Sequence, residues 1–231
     1  MKCMLITGAS AGIGLHTAQR FISEGFNVVN LSRRRCPIDA VNHINCDLSA
    51  PGFLEKISNQ LSPILQGSEQ IVLIHNAAKM NNDSAVETPS QSFRDALEVN
   101  VVAPNTLNHF AIPYMKPGSS ILFVGSTLAE KAVPGSYSYV VSKHAMIGMM
   151  RAACQDLVGR SIHTACVCPG FTDTEMLRQH VPDEAMEGVR AMSAYNRLID
   201  PDEIADTLLW ASSNAVINGA VLHANLGQVE R

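Results

Sequence analysis

Short runs of consecutive apolar residues alternate with longer stretches whose apolar positions recur at helical spacing, from one end of the chain to the other. The runs Cys3–Thr7, Asn27–Leu31, His43–Cys46, Gln70–His75, Ser120–Gly125, His163–Cys168 and Ala220–Ala224 read as strands. Between most of them lie helical stretches: Gly12–Glu24, Phe53–Leu65, Ser92–Pro113, Ser136–Gly159 and Asp202–Ser212. Ile71-Val72-Leu73-Ile74 and Ile121-Leu122-Phe123-Val124 are apolar at every position. A strand with one wet face would alternate, so these are expected to be buried on both faces, as in a parallel sheet covered by helices. The pattern predicts a single α/β domain built on a doubly wound parallel sheet of about seven strands.

No linker, low-complexity tract or internal repeat divides residues 1–231. Two links depart from the alternation. Ser32 to Asn42, with Pro37 among them, leave little room for a crossover helix and predict a loop. Residues 175–197 show no clear period and predict an irregular, mobile segment between the sixth strand and the last helix.

Composition narrows the function. Lys and Arg number 17 against 21 Asp and Glu, a formal net charge of -4. A mildly acidic chain lacks the basic face that nucleic-acid binding needs. No apolar run approaches the roughly 18 residues of a membrane span, and the N-terminal run meets a glycine turn too early for a signal peptide. Neither a nucleic-acid nor a membrane partner is therefore expected. Cysteines at 3, 36, 46, 154, 166 and 168 show no zinc-type spacing, and free thiols in a reducing cytoplasm are expected. Cys166 and Cys168 are expected to point to opposite faces of their strand. The eight histidines have no pair at helical metal spacing, so no metal site is expected. Trp210 is expected to anchor the last helix.

The first strand runs into Thr7-Gly8-Ala9-Ser10-Ala11-Gly12-Ile13-Gly14 and then a helix. Glycine permits the sharp exit from the strand, close approach of backbone to a ligand, and tight packing of helix on sheet. Free N–H groups at the helix start suit a phosphate. An ordinary strand-to-helix turn would use the same residues. Downstream, Tyr139 and Lys143 stand one helical turn apart on one face, shortly after Ser126 at the end of the fifth strand. A phenol, with an ordinary pKa of about 10, is a poor proton carrier near neutrality unless a cation stabilises its ionised form. Taken alone, such a pair on a helix surface reads as a solvated one. Here it falls at the carboxyl edge of the sheet, where doubly wound folds bind ligands.

These motifs resemble those of the short-chain dehydrogenase/reductase family. The likeness rests on the Thr7–Gly14 turn, Asn76-Ala77-Ala78 after the fourth strand, Asn100, Ser126, the Tyr139/Lys143 pair, and Pro169-Gly170 with Thr174. It spans nearly the whole chain and implies a Rossmann-like fold. It implies that Tyr139 exchanges a proton with a carbonyl or alcohol oxygen, which Ser126 holds in place. Lys143 would bind the nicotinamide ribose and tune Tyr139, and Asn100 would bend its helix and hold a proton-supplying water. Gly8, Ser10, Gly12, Ile13 and Gly14 would cradle the pyrophosphate, and Asp47 and Leu48 would meet the adenine. Asn76, Ala77 and Ala78 would flank the cofactor, and Pro169, Gly170, Thr172 and Thr174 would pass its nicotinamide end. Ala78 replaces the usual glycine and should narrow the space there. The ending Ala224-Asn225-Leu226-Gly227 only loosely matches the family's.

NAD-preferring sites carry Asp or Glu about 20 residues beyond the glycines, where it bonds the ribose hydroxyls. This chain has Ser32 there, followed by Arg33, Arg34 and Arg35. Serine can bond an extra phosphate and Arg33 can pair with it in fork geometry, whereas a carboxylate would repel it. Ala11, where NADP-dependent relatives often carry a basic residue, tempers the preference. The expectation is a cytoplasmic, NADP(H)-dependent oxidoreductase interconverting a small-molecule carbonyl and a secondary alcohol, preferring NADP(H) over NAD(H). The alternatives are an NAD-dependent dehydrogenase of a cyclic diol and a catalytically silent dinucleotide-binding regulator. The resemblance also implies a homodimer or homotetramer packed through the two long helices, a role that Val140, Val141, Met149 and Ala153 would suit. Residues 175–197 are expected to cover the substrate with Met176, Val181, Met186, Val189 and Met192, with Arg178 and Arg190 beside them.

Overall fold

In the computed structural model, which describes residues 1–228, the apolar runs become seven strands. They are β1 (Lys2–Thr7), β2 (Asn27–Ser32), β3 (Asn42–Asn45), β4 (Gln70–His75), β5 (Ser120–Val124), β6 (His163–Pro169) and β7 (Ala220–Ala224). They form one sheet in the order β3-β2-β1-β4-β5-β6-β7, and every neighbouring pair is parallel. Side-chain alternation sends Cys3 and Leu5 into one core and Met4 and Ile6 into the other, all fully buried. Helices α1 (Gly12–Ser23) and α8 (Pro201–Ser213) cover the second face. Helices α2 (Phe53–Gln66), α4 (Ala103–Ala111) and α5 (Tyr137–Asp156) cover the first. The doubly wound single domain is as expected. Strand order reverses between β1 and β4, and the crevice at that switch point is where this architecture places ligands.

Several boundaries differ from the sequence reading for identifiable reasons. The stretch expected as one helix over Ser92–Pro113 is α3 (Ser90–Leu97), a π turn over Glu98–Val102, and α4. Pro104 has no N–H to offer the carbonyl of Asn100, so the α-helical ladder cannot continue through that point. The segment expected as irregular holds two short helices, α6 (Glu175–His180) and α7 (Met186–Ala191). Cys166 and Cys168 share one face of β6, their Sγ atoms 3.7 Å apart, because next-but-one residues of a strand return to the same side. Trp210 does not anchor α8: it is 49% exposed, on the face opposite the buried Ile204, Leu208 and Ala211. All six cysteines are free and buried. Among the described residues no helix is long and apolar enough to cross a membrane.

Candidate active site

The glycine turn is held from three sides. Gly8 leaves β1 at φ 77°, a left-handed conformation that glycine takes without strain. Asn76 donates through Nδ2 to the carbonyls of Thr7 and Gly8, each at 3.0 Å, while the Thr7 hydroxyl accepts from the N–H groups of Asn76 and Ala77. Asn30, fully buried in β2, accepts from the Ala9 N–H at 2.9 Å. A side chain on Gly14 would meet the Gly8 carbonyl oxygen at 2.3 Å, so only glycine lets α1 start this close to the turn. No side chain caps α1 and its first turn holds no acidic residue. Its leading N–H groups are left for an anion from outside the protein.

Across the crevice, α5 presents Tyr139 and Lys143, which are 8% and 1% exposed. Lys143 Nζ donates to the Val124 carbonyl at 2.7 Å and lies 5.4 Å from the centre of the Tyr139 ring. Its remaining N–H groups are available to a ligand. Ser126 follows β5 in extended backbone, and its Oγ accepts from the Leu128 N–H at 3.1 Å, leaving its own hydrogen free to donate. Tyr137 stacks on Phe93, ring centres 5.7 Å apart, and does not line the cleft.

Asn100, fully buried in the π turn, joins two walls of the site. Its Oδ1 accepts from the Lys79 N–H at 2.7 Å, and its Nδ2 donates to the Lys79 carbonyl and the Ser142 hydroxyl, both at 2.9 Å. The side-chain amide is thus occupied by protein. A water on this residue would have to use the backbone carbonyl that Pro104 cannot serve.

One cleft of about 1390 Å³ runs through these elements. Of the residues assigned a catalytic or cofactor-binding role from the sequence, all but Asn100 line it: Gly8, Ser10, Gly12, Ile13, Gly14, Ser32, Arg33, Asp47, Leu48, Asn76–Ala78, Ser126, Tyr139, Lys143, Pro169, Gly170, Thr172 and Thr174. At its outer end, hydrogen bonds from Ser49, with Arg33 nearby, hold the Asp47 carboxyl below the usual carboxylate range. Ser32 donates its hydroxyl to the Arg34 carbonyl at 2.6 Å, so its hydrogen is already committed. Thr172 and Thr174 donate to the Gly170 and Thr172 carbonyls, shaping the chain that passes over the cleft. From the 175–197 segment Met176, Val181 and Met192 line the cleft, whereas Arg178 pairs with Asp173 and Arg190 faces solvent.

Three supporting residues went unassigned in the sequence reading: Thr7, Asn30 and Ser142. Asn30 carries a legible signal, a lone polar residue inside the apolar run of β2. His16, Asp200 and Asp202 bring ligand-type atoms together on the surface, but Asp200 caps α8 and Asp202 pairs with His16 at 2.8 Å.

Residues 8–228 match the family model described as enoyl-(acyl carrier protein) reductase. The 3-oxoacyl-(acyl-carrier-protein) reductase FabG of Thermotoga maritima is 27% identical over 99% of this chain and 98% of its own. Protein FixR of Bradyrhizobium diazoefficiens is 29% identical over 98% of this chain and 86% of its own. Among solved structures, aldohexose dehydrogenase of Thermoplasma acidophilum in ligand-free form superposes with a TM-score of 0.90 at 27% identity, covering 98% of this chain and 93% of that one.

Proposed function

From a chain that belongs to the short-chain dehydrogenase/reductase family of oxidoreductases, we infer an NADP(H)-dependent enzyme that interconverts a carbonyl and a secondary alcohol. The observation that carries this reading is the buried Tyr139–Lys143 pair facing the same cleft as Ser126 and the uncapped start of α1. The residues present fit a dinucleotide: open N–H groups for its phosphates at one end, free Lys143 N–H groups for ribose hydroxyls at the other. The bound nicotinamide would supply or accept the hydride.

The remaining steps belong to this chain. Ser126 donates its free hydrogen to the reacting oxygen and fixes its place. Tyr139 gives that oxygen a proton in reduction and takes one in oxidation, with the Lys143 cation stabilising the phenolate. Asn100 keeps the Lys79 backbone and Ser142 of α5 in register, which holds Tyr139 toward the cleft. Met80, Leu128, Val133, Met176, Val181 and Met192 line the substrate half, which supports a largely apolar substrate.

NADP(H) is the preferred cofactor because β2 ends on Ser32 and not on a carboxylate, and Arg33 and Arg34 line the cleft directly after it. With the Ser32 hydrogen committed to Arg34, these arginines carry the discrimination. In this reading the enzyme works in the cytoplasm as a homodimer or homotetramer, with the half-buried Val140, Val141 and Ala153 of α5 available to a second copy. The test is a panel of carbonyl compounds and alcohols assayed with NADPH, NADH and their oxidised forms at matched concentrations. Turnover with NADPH and at least one ketone is expected. Measurable cofactor binding with no turnover anywhere on the panel would favour a silent binding protein.

A further inference from the structure

Arg34 and Glu175 stand 141 residues apart in sequence, yet Arg34 Nη2 donates to Glu175 Oε2 at 2.9 Å. The two come from different walls: Arg34 from the loop after β2, Glu175 from the first residue of α6, and both line the cleft. The approach to α6 lies directly over the glycine turn, since a side chain on Gly12 would meet Thr174 Cγ2 at 3.1 Å. The Ser32 hydroxyl grips the Arg34 carbonyl, so the loop is shaped where the guanidinium departs. At its other end, α6 is tied down by His180, whose Nε2 lies 3.3 Å from the Met80 carbonyl oxygen. The helix is strapped over the cleft at both ends, and one strap is made of the charge type that a ribose phosphate would claim.

Resting on the NADP(H) reading above, we propose that Glu175 is a cofactor-discriminating residue. With NAD(H) its carboxylate stands in for the missing phosphate, pairing with Arg34 and holding α6 down. With NADP(H) the phosphate competes for Arg34 and leaves Glu175 facing another anion. The pair therefore couples the cofactor's identity to closure of the segment that covers the substrate, and it narrows the preference that Arg33 and Arg34 create.

The test is a double-mutant cycle on the ratio of kcat/KM with NADPH to that with NADH. Side chains exposed by 59% and 61% make this a surface pair, so the expected effect is modest. Glu175→Gln should raise the ratio about fivefold, and the rise should shrink in an Arg34→Gln background, where only the repulsion between Glu175 and the phosphate is left to relieve. Tryptic cleavage after Arg178 should be slower with NADH bound than with NADPH bound, and Glu175→Gln should erase that difference. A ratio that moves less than about twofold, an equal rise without Arg34, or stronger protection by NADPH would each overturn the proposal. A wild-type ratio near one counts against the cofactor preference alone, because the effect of Glu175→Gln is read relative to wild type.

Discussion

The two ends of the cleft are built on different principles. Around Tyr139 the proton-carrying pair is buried with Ser126 half-buried beside it, and their neighbours are joined by short hydrogen bonds: Lys143 to Val124, Asn100 to Lys79 and Ser142. Around Ser32 the charged groups are exposed, and Arg34 is partnered by another exposed side chain, Glu175. Buried hydrogen bonds hold geometry to a fraction of an ångström and are costly to break. Exposed ion pairs exchange partners at little cost. The inner end is suited to chemistry that demands one arrangement, and the outer end to a choice between ligands that differ by one phosphate.

The contrast is broken most severely by removing the proton carrier. Tyr139→Phe keeps the ring in its buried seat and deletes only the hydroxyl. NADPH binding, followed by its fluorescence, should survive, while turnover falls by at least about 100-fold. Retention of more than half the wild-type turnover, with chemistry shown to limit the rate, would remove Tyr139 from that role. Lys143→Met tests the same end more gently. It takes away a cation 5.4 Å from the ring, so the pH–rate profile should move upward and cofactor binding should weaken together. Lys143→Arg keeps the charge with a different reach and should rescue the profile in part. A profile unmoved in Lys143→Met would leave that side chain a packing role.

His75 extends the buried end to stability. It closes β4 at 1% exposure, with Nε2 2.8 Å from Asn108 Oδ1 and no partner for Nδ1. Burial pushes its pKa from 6.5 down to about 4, against a smaller opposing effect of the Asn108 hydrogen bond. Below 6.5 the unfolded chain takes a proton that the folded chain refuses until about pH 4. The stability contribution is therefore whole above 6.5 and drains away as pH falls through that window. The loss should be on the order of 3 kcal/mol. Urea midpoints of wild type and His75→Asn at pH 7, 5.5 and 4.5 check this. The variant should show the flatter dependence, and parallel curves would assign the acid sensitivity elsewhere.

Much of the inner end is legible in the residues. The unbroken apolar runs of β4 and β5 read directly as strands covered on both faces, and they are fully or nearly fully buried. Pro104, one helical turn beyond Asn100, signals the break that the single-helix reading missed. Helices α6 and α7 span six residues each, less than two turns, too short for a helical period to declare itself. Trp210 shows that size alone does not place a residue inside, because α8 buries a stripe and not its circumference. The error at Cys166 and Cys168 lay in applying strand alternation one residue out of step. Arg34 and Glu175 mark a harder boundary: no local pattern joins residues so distant, and only the fold brings them within a hydrogen bond.

The outer end is tested by rewriting it. In the double change Ser32→Asp, Arg33→Ile, a carboxylate replaces the hydroxyl that now holds the Arg34 carbonyl, and one of two cleft-lining arginines is lost. The new carboxylate can accept from both ribose hydroxyls of NAD(H) and repels the phosphate of NADP(H). Opposite unit charges about 4 Å apart near a protein surface attract by roughly 4 kcal/mol before desolvation. Retention of a third of that corresponds to about tenfold in kcat/KM. The wild type should favour NADPH over NADH, and the double variant should lose or reverse that preference, with turnover on the better cofactor reduced far less than in Tyr139→Phe. The smaller penalty follows from the contrast itself, since neither substituted side chain donates to the buried network around Asn100 and Lys143. Equal kcat/KM for the two cofactors in wild type would defeat the assigned preference. A collapse of turnover with both cofactors in the double variant would show that the two ends are not separable, and that the loop after β2 reaches the chemistry through the segment that Arg34 and Glu175 join.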